Sequence, residues 1–310
     1  MRILVTGGAG FIGSTICRAY VQAGHEVVVL DNLSTGRPSN LTGVGVHLVE
    51  GSIEDEALIE RLFAEHRFEV VNHQAARGNP RESVDDPWAF FETNVRGGLR
   101  LLEAARRHDV RKVLFASSGG CVYGELIHWP ATEDHPLQPV DPYGASKLCF
   151  EVYLRTYAMQ YGLDYTIFRY ANIYGPRQNP FGEAGVVSIF AARMLANREV
   201  VINGDGEQLR DYVFVDDCVA ASLLALSRGS SEVVNLGTGT GTSVNDLFEA
   251  LRAEIGYEQD PIHGPAKAGE VPRNELDNAR ALATLGWAPT VTLGEGLRRT
   301  VEYIRDSEVR

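Results

Sequence analysis

The stretch Ile3-Leu4-Val5-Thr6-Gly7-Gly8-Ala9-Gly10-Phe11-Ile12-Gly13 limits the fold more than any other part of the chain. A short apolar run breaks at clustered glycines. A helical pattern follows, with Ile12, Ile16, Ala19, Tyr20 and Ala23 at helical spacing and a stop at Gly24. The glycines fit G-x-G-x-x-G as Gly8, Gly10 and Gly13, and G-x-x-G-x-x-G as Gly7, Gly10 and Gly13. Either spacing lets backbone N–H groups and a helix N-terminus approach a pyrophosphate. A second strand, Glu26 to Leu30, ends at Asp31, eighteen residues beyond Gly13. An acidic side chain there accepts hydrogen bonds from an adenosine ribose and would repel a 2′-phosphate, so the pattern predicts NAD rather than NADP.

The alternation continues. Val46 to Glu50 reads as a strand, Ile53 to Arg67 as a helix, and Val70 to His73 as a strand opening into Gln74-Ala75-Ala76-Arg77-Gly78. Small residues there let the chain run beside a flat cofactor. Trp88 to His108 reads as a long helix and Lys112 to Ser117 as another apolar strand. Repeated strand–helix units with apolar strands predict an α/β fold, a doubly wound Rossmann-type parallel sheet covered on both faces. Ligands are then expected at the carboxyl ends of the strands.

Tyr143-Gly144-Ala145-Ser146-Lys147 falls at that edge. Residues four apart on a helix share a face. A phenol is a poor base at its ordinary pKa of about 10, and a nearby ammonium favours the phenolate. Lowering that pKa by about 3 units takes roughly 4 kcal/mol, which the ammonium and a positively charged cofactor ring at short range in a partly dry site can supply. The pair then becomes a proton-transfer device for an alcohol being oxidised or a ketone being reduced.

Composition narrows the alternatives. The 310 residues are 44% hydrophobic and 23% charged, with a formal net charge of −12. An acidic surface argues against nucleic-acid or anionic-membrane partners. Cys17, Cys121, Cys149 and Cys218 are widely spaced and form no metal-type motif, so they read as reduced thiols and no metal site is expected. No apolar run approaches the roughly 20 residues that span a bilayer. With Met1 leading straight into a strand rather than a secretory leader, the expectation is a cytoplasmic globular protein.

Thr6–Gly13, Asp31-Asn32, His73–Ala76, Asn94–Gly97, Ser117-Ser118 with Val122–Gly124, and Tyr143–Lys147 arrive in one order. That order resembles the extended short-chain dehydrogenase/reductases, and within them the nucleotide-sugar epimerase/dehydratase family, nearest to the 4-epimerases of UDP-hexoses. The resemblance implies NAD contacts from Gly7, Gly10, Phe11, Ile12 and Gly13, from Asp31 and Asn32, and from Ser52 and Ile53. Further contacts are implied for Gln74, Ala75, Ala76, Asn94, Ser117, Tyr170, Tyr143 and Lys147. It implies epimerisation at C4 of a nucleotide sugar through a transient 4-keto intermediate, with Tyr143 as acid and base and bound NAD carrying hydride. It also implies a homodimer formed through a four-helix contact of Trp88–His108 and Tyr143–Tyr161.

By the same resemblance a smaller C-terminal α/β lobe holds the sugar nucleotide. The NAD domain is expected to span 1–173 with a return segment at 211–237, and the lobe 174–210 and 238–310. Substrate contacts are implied for Ser118, Tyr143, Asn172, Val186, Val187, Ile202, Arg210, Arg273 and Asn274, with Lys267 a rival phosphate partner to Arg273. A guanidinium suits phosphate because its planar donors bind two oxygens at once. Two positions depart from the family pattern, and at one of them Ser52 stands where an aspartate near adenine is common, a serine that can still hydrogen-bond. Gly119 stands where a catalytic serine or threonine is usual, leaving Ser118, Cys121 or a water to bond the substrate oxygen. Gly120 and Cys121 stand where dehydratases carry an Asp-Glu pair, and Cys121 where decarboxylases carry a glutamate, which favours epimerisation. A dehydratase or keto-sugar reductase, and a non-catalytic dinucleotide sensor, are the competing readings. The sugar itself is left open.

Overall fold

The structure, a computed structural model, describes residues 1–180, 185–267 and 269–308. Its centre is a seven-stranded sheet in which all pairings are parallel. The strands are β1 (Arg2–Thr6), β2 (Glu26–Asp31), β3 (His47–Glu50), β4 (Val70–His73), β5 (Lys112–Ser118), β6 (Asp164–Tyr170) and a last strand, Glu232–Leu236. They lie in the order last strand, β6, β5, β4, β1, β2, β3. The direction of winding therefore reverses between β1 and β4, which places a crevice at their carboxyl ends.

Alternation along each strand feeds two cores. Ile3 and Val5 of β1 pack on one face with Tyr20 from helix α1 (Phe11–Gln22) and Val219 from the Val215–Ala225 helix. Leu4 faces the other way, among Leu62 and Phe63 of helix α2 (Glu56–His66), Leu101, and Phe150 of the Pro142–Tyr161 helix. Strands buried on both faces read as unbroken apolar runs, which is why β1 and β2 are legible directly. A third core lies toward the C-terminal end, where Phe190, Ile202, Phe248, Leu251 and Leu297 meet. The strands around it are two or three residues long: Asn172–Tyr174 with Tyr212–Phe214, and Leu209–Arg210 between Thr242–Ser243 and Arg273–Asn274.

The expected helix from Trp88 to His108 is one rod with a defect. Pro87–Phe90 is α-helical, Phe91–Gly97 is π-helical, and Gly98–Arg107 is α-helical again. The wider turn carries Asn94 inward, where it is buried. Such π segments often occur at functional sites. The helix expected from Ile53 begins later, at Glu56, because Asp55 accepts a hydrogen bond from the Leu58 N–H and caps it there.

Candidate active site

A cavity of about 550 Å³ opens at the carboxyl ends of β1, β2, β4 and β5. Its floor is the glycine loop. Gly7 has φ +68°, and a Cβ there would lie 2.7 Å from the Ala75 nitrogen; at Gly13 it would lie 2.2 Å from the Gly7 carbonyl oxygen. Only glycine lets β1, the loop and α1 close on one another this tightly. Gly8 is held as closely, since a Cβ there would lie 2.7 Å from Val29 Cγ1, so the close approaches require glycine in both spacings. The first-turn N–H groups of Phe11, Ile12 and Gly13 have no carbonyl a turn earlier to bond, and these residues border the cavity. At its far end Asp31 accepts from the Ala9 N–H at 2.9 Å and the Leu33 N–H at 2.8 Å. Two bonds leave a carboxylate further acceptor capacity for ribose hydroxyls.

Asn32, Ser52, Ile53, Gln74, Ala75, Ala76, Ser117 and Tyr170 border the same cavity. Asn94 does not. Its Oδ1 accepts from the Arg77 N–H at 2.8 Å, while Nδ2 donates to the Arg77 carbonyl at 3.0 Å and to Ser146 Oγ at 2.9 Å. It holds the wall rather than forming it. Ser34 and Thr35 also border the cavity, which sequence reasoning passes over although they follow Asp31 closely.

The Pro142–Tyr161 helix delivers Tyr143 and Lys147 to the opposite wall. Asp141 fixes its start, its Oδ1 accepting from the Gly144 N–H at 2.7 Å, with Pro142 at the first helical position. Lys147 Nζ donates to the Ala116 carbonyl at 2.8 Å and lies 5.8 Å from the centre of the Tyr143 ring. Burial lowers the lysine pKa to about 8, opposed by Cys121 and Glu151. His73 is structural. It is buried at 2.7 Å from Thr6 Oγ1 and pushed down to about 3 by burial and by Lys147, so it stays neutral.

Ser118 precedes a short helix, Gly119–Val122, without a capping hydrogen bond from its side chain. A Cβ at Gly119 would lie 2.5 Å from Leu276 Cδ1, and Leu276 is fully buried, so that space is already filled. A Cβ at Gly120 would meet Asn274 Nδ2 at 2.8 Å and Ser118 Oγ at 3.7 Å, which shows these two side chains converging. Asn274 Oδ1 is buried with no hydrogen-bond partner among the described residues. Burial pushes the Cys121 thiol up to about 12. Asn172 donates its N–H to the Asp211 carbonyl at 2.8 Å, beside Arg210.

Three residues expected at the lobe's site are engaged elsewhere in the structure. Val187 and Ile202 are core residues, at 1% and 0% exposure, rather than residues of an open surface; Val186 is only partly buried. Arg210 pairs across the sheet with Asn274, whereas Arg273 precedes Asn274 and faces the other way. Arg273 instead lies over the Trp129 ring at 4.0 Å and pairs with Glu275 at 2.5 Å. Arg210 pairs with Glu270 at 2.9 Å. Sequence reasoning misses Tyr212: its buried hydroxyl has no hydrogen-bond partner among the described residues, and Arg210 and Glu270 act on it electrostatically. Its one signal is proximity to Arg210, in a stretch too short to show a period.

Residues 3–237 match the model of the NAD dependent epimerase/dehydratase family. The UDP-glucose 4-epimerase of Mycolicibacterium smegmatis is 46% identical over 99% of both chains. Among solved structures, UDP-glucose 4-epimerase from Thermotoga maritima with UDP-glucose is 49% identical, with TM-score 0.98 over 99% of this chain and 100% of that one. UDP-glucose 4-epimerase from Thermus thermophilus in complex with NAD is 43% identical, with TM-score 0.93 over 98% and 99%.

Proposed function

The chain belongs to the NAD dependent epimerase/dehydratase family, and from that premise we propose that it is an NAD-dependent 4-epimerase of a nucleotide sugar, with UDP the nucleotide. The observation that carries this reading is that Tyr143 and Lys147 open onto the same cavity as the glycine floor and Asp31. The cavity suits NAD. A floor that no Cβ could enter, first-turn helix N–H groups and a carboxylate at the far end match a pyrophosphate and a ribose. When bound, NAD supplies the acceptor and donor of hydride.

The protein's own groups do the rest. Tyr143 takes the proton of the sugar C4 hydroxyl and later returns it, so the same residue serves both half-reactions. Lys147, pinned by the Ala116 carbonyl, keeps a positive charge beside the phenol and favours its anion. Ser118 supplies a hydroxyl to the sugar oxygen, and Asn274 sets the room beside it. Arg210, Asn172 and Tyr212 hold the diphosphate, which lets the keto-sugar turn while its nucleotide stays anchored. A dehydratase or decarboxylase would need an acid at Gly120 or Cys121; a glycine and a protonated thiol offer none.

We assign NAD to 1–173 with 211–237 and the sugar nucleotide to 174–210 with 238–310, supported by a third core around Phe190, Phe248 and Leu251, which Tyr212, Phe214 and Val215 of the return segment join. A homodimer is supported by Trp88, Phe91, Val152 and Met159, apolar side chains exposed on the two helices expected to pair. Light scattering tests it: a monomer at working concentration sinks this part. The four free cysteines fit a reducing, cytoplasmic setting. The function itself is tested by NMR on the purified protein with UDP-glucose, UDP-N-acetylglucosamine and UDP-glucuronate. One interconverting C4 pair without net NADH is expected. No epimer from any of them overturns the UDP-sugar reading.

A further inference from the structure

Behind Lys147 lies a buried charged network that the proposed chemistry does not use. Glu151 follows Lys147 by four residues on the same helix, so the two share a face, and Glu151 is fully buried. Arg169 of β6 grips it with a fork, Nε donating to Oε1 at 3.1 Å and Nη2 to Oε2 at 2.7 Å. Ser117 donates its hydroxyl to Oε1 at 2.5 Å, although Ser117 borders the cavity. The third guanidinium nitrogen, Nη1, donates to the Tyr123 hydroxyl at 3.0 Å and the Glu133 carbonyl at 3.1 Å. Tyr123 in turn donates to Asn235 Oδ1 at 2.6 Å.

Stability alone does not account for such a pair, since replacing a buried ion pair with well-packed apolar residues is often neutral or stabilising. Its place one helical turn beyond Lys147 points elsewhere. We infer that Glu151 and Arg169 are positioning residues for Tyr143 and Lys147: their ion pair sets the field in which that pair exchanges its proton, and it draws the Ser117 hydroxyl off the cavity. The inference rests on the proton-transfer role proposed for Tyr143.

The groups facing Lys147 make the sign of the effect definite. Tyr143 and Glu151 come from its own helix, the Ala116 carbonyl and Phe115 ring from β5, Cys121 from the short helix after β5, and His73 from β4. Burial keeps His73 and the Cys121 thiol neutral. Among these groups Glu151 therefore brings the full negative charge, and Arg169 balances it. Glu151→Gln leaves Arg169 uncompensated, which disfavours protons on both Tyr143 and Lys147. Arg169→Gln does the reverse.

The test uses the purified holoprotein. Tyr143 ionisation is followed by absorbance near 295 nm, as each protein minus its own Tyr143→Phe counterpart, beside the pH profile of kcat/KM with UDP-glucose. Glu151→Gln should move the tyrosine titration and both limbs of the profile to lower pH by about 1 unit, and Arg169→Gln should move them up by a similar amount. Glu151→Asp keeps the charge and should leave them in place. Lower activity or Tm with unmoved titrations overturns the inference, as do shifts of one sign in both variants. Either folded variant decides alone, since each has its own sign. Failure of both to fold assigns the pair to architecture and also overturns it. The absorbance titration needs no turnover, so a wild-type protein that makes no epimer would sink the epimerase reading without deciding this one.

Discussion

The cavity side and the sugar side each carry an arginine–glutamate pair, and the two pairs are built for opposite purposes. Arg169 and Glu151 are enclosed, with side chains 2% and 0% accessible. Arg210 and Glu270 reach solvent at 13% and 29%. Breaking an enclosed pair leaves a buried charge and costs about 3–5 kcal/mol, so the first is a fixture. A pair near the surface is worth about 0–1 kcal/mol, so the second can be exchanged. A diphosphate offers Arg210 more charge and more acceptor oxygens than Glu270 does. The permanent pair therefore sits where geometry must not change, beside Tyr143 and Lys147. The exchangeable one sits where the proposed reading has a substrate come and go.

The halves meet at Tyr143, and removing its hydroxyl should break them apart most completely. Tyr143→Phe keeps the ring against Phe90, at 6.3 Å, and the helix around it. Turnover should fall about 10²- to 10⁴-fold, the span of a lost general acid–base group. NAD content and the KM for the sugar nucleotide should hold. NMR rates and the cofactor released on denaturation check both. A variant that loses NAD along with activity would show that the two halves are not separable at this residue.

Next in size is the contrast within the sugar side. Arg210→Ala removes charged hydrogen bonds worth about 1.5–3 kcal/mol, so KM should rise about 10- to 150-fold with little change in kcat. Arg273→Ala should change KM less than about threefold, because that side chain faces away from Asn274 and is occupied by Trp129 and Glu275. Steady-state kinetics on the two variants settles which arginine meets the diphosphate. Equal effects would erase the distinction drawn from strand alternation.

What sequence can and cannot disclose follows the same division. On the cavity side each site residue sits at the end of a long regular element, so period and glycine spacing by themselves locate Gly7, Asp31, Gln74, Tyr143 and Lys147. Asn94 is legible as a residue near the site but not in its task, because a π segment leaves no periodic trace. On the sugar side the strands are two or three residues long. No period can develop in so few residues, and facing direction is decided by tertiary packing. Sequence alone therefore keeps Arg273 as a second phosphate partner behind Arg210, does not disclose that Val187 and Ile202 are buried in a core, and passes over Tyr212. The network of Glu151, Arg169, Tyr123 and Asn235 joins segments far apart in the chain, a relation that spacing cannot carry.

The smallest expected effect concerns Gly119, where family pattern and local packing disagree. The pattern invites a restored hydroxyl, and packing refuses it, since a Cβ at that point meets buried Leu276 at 2.5 Å. The Leu276 side chain is fully buried and the Arg169 carbonyl oxygen lies 3.4 Å from the same point, so little room is left for it to retreat. Gly119→Ser should thus behave as overpacking, which costs about 1–3 kcal/mol, and lower Tm by about 2–6 °C at the few degrees per kcal/mol typical of large domains. It should not raise kcat if Ser118, which converges with Asn274 near Gly120, supplies the hydroxyl as proposed. Thermal melts with NMR rates distinguish the cases. A Gly119→Ser protein that is both faster and as stable as wild type would mean that Leu276 yields, and that the hydroxyl at 118 is not the one the sugar uses.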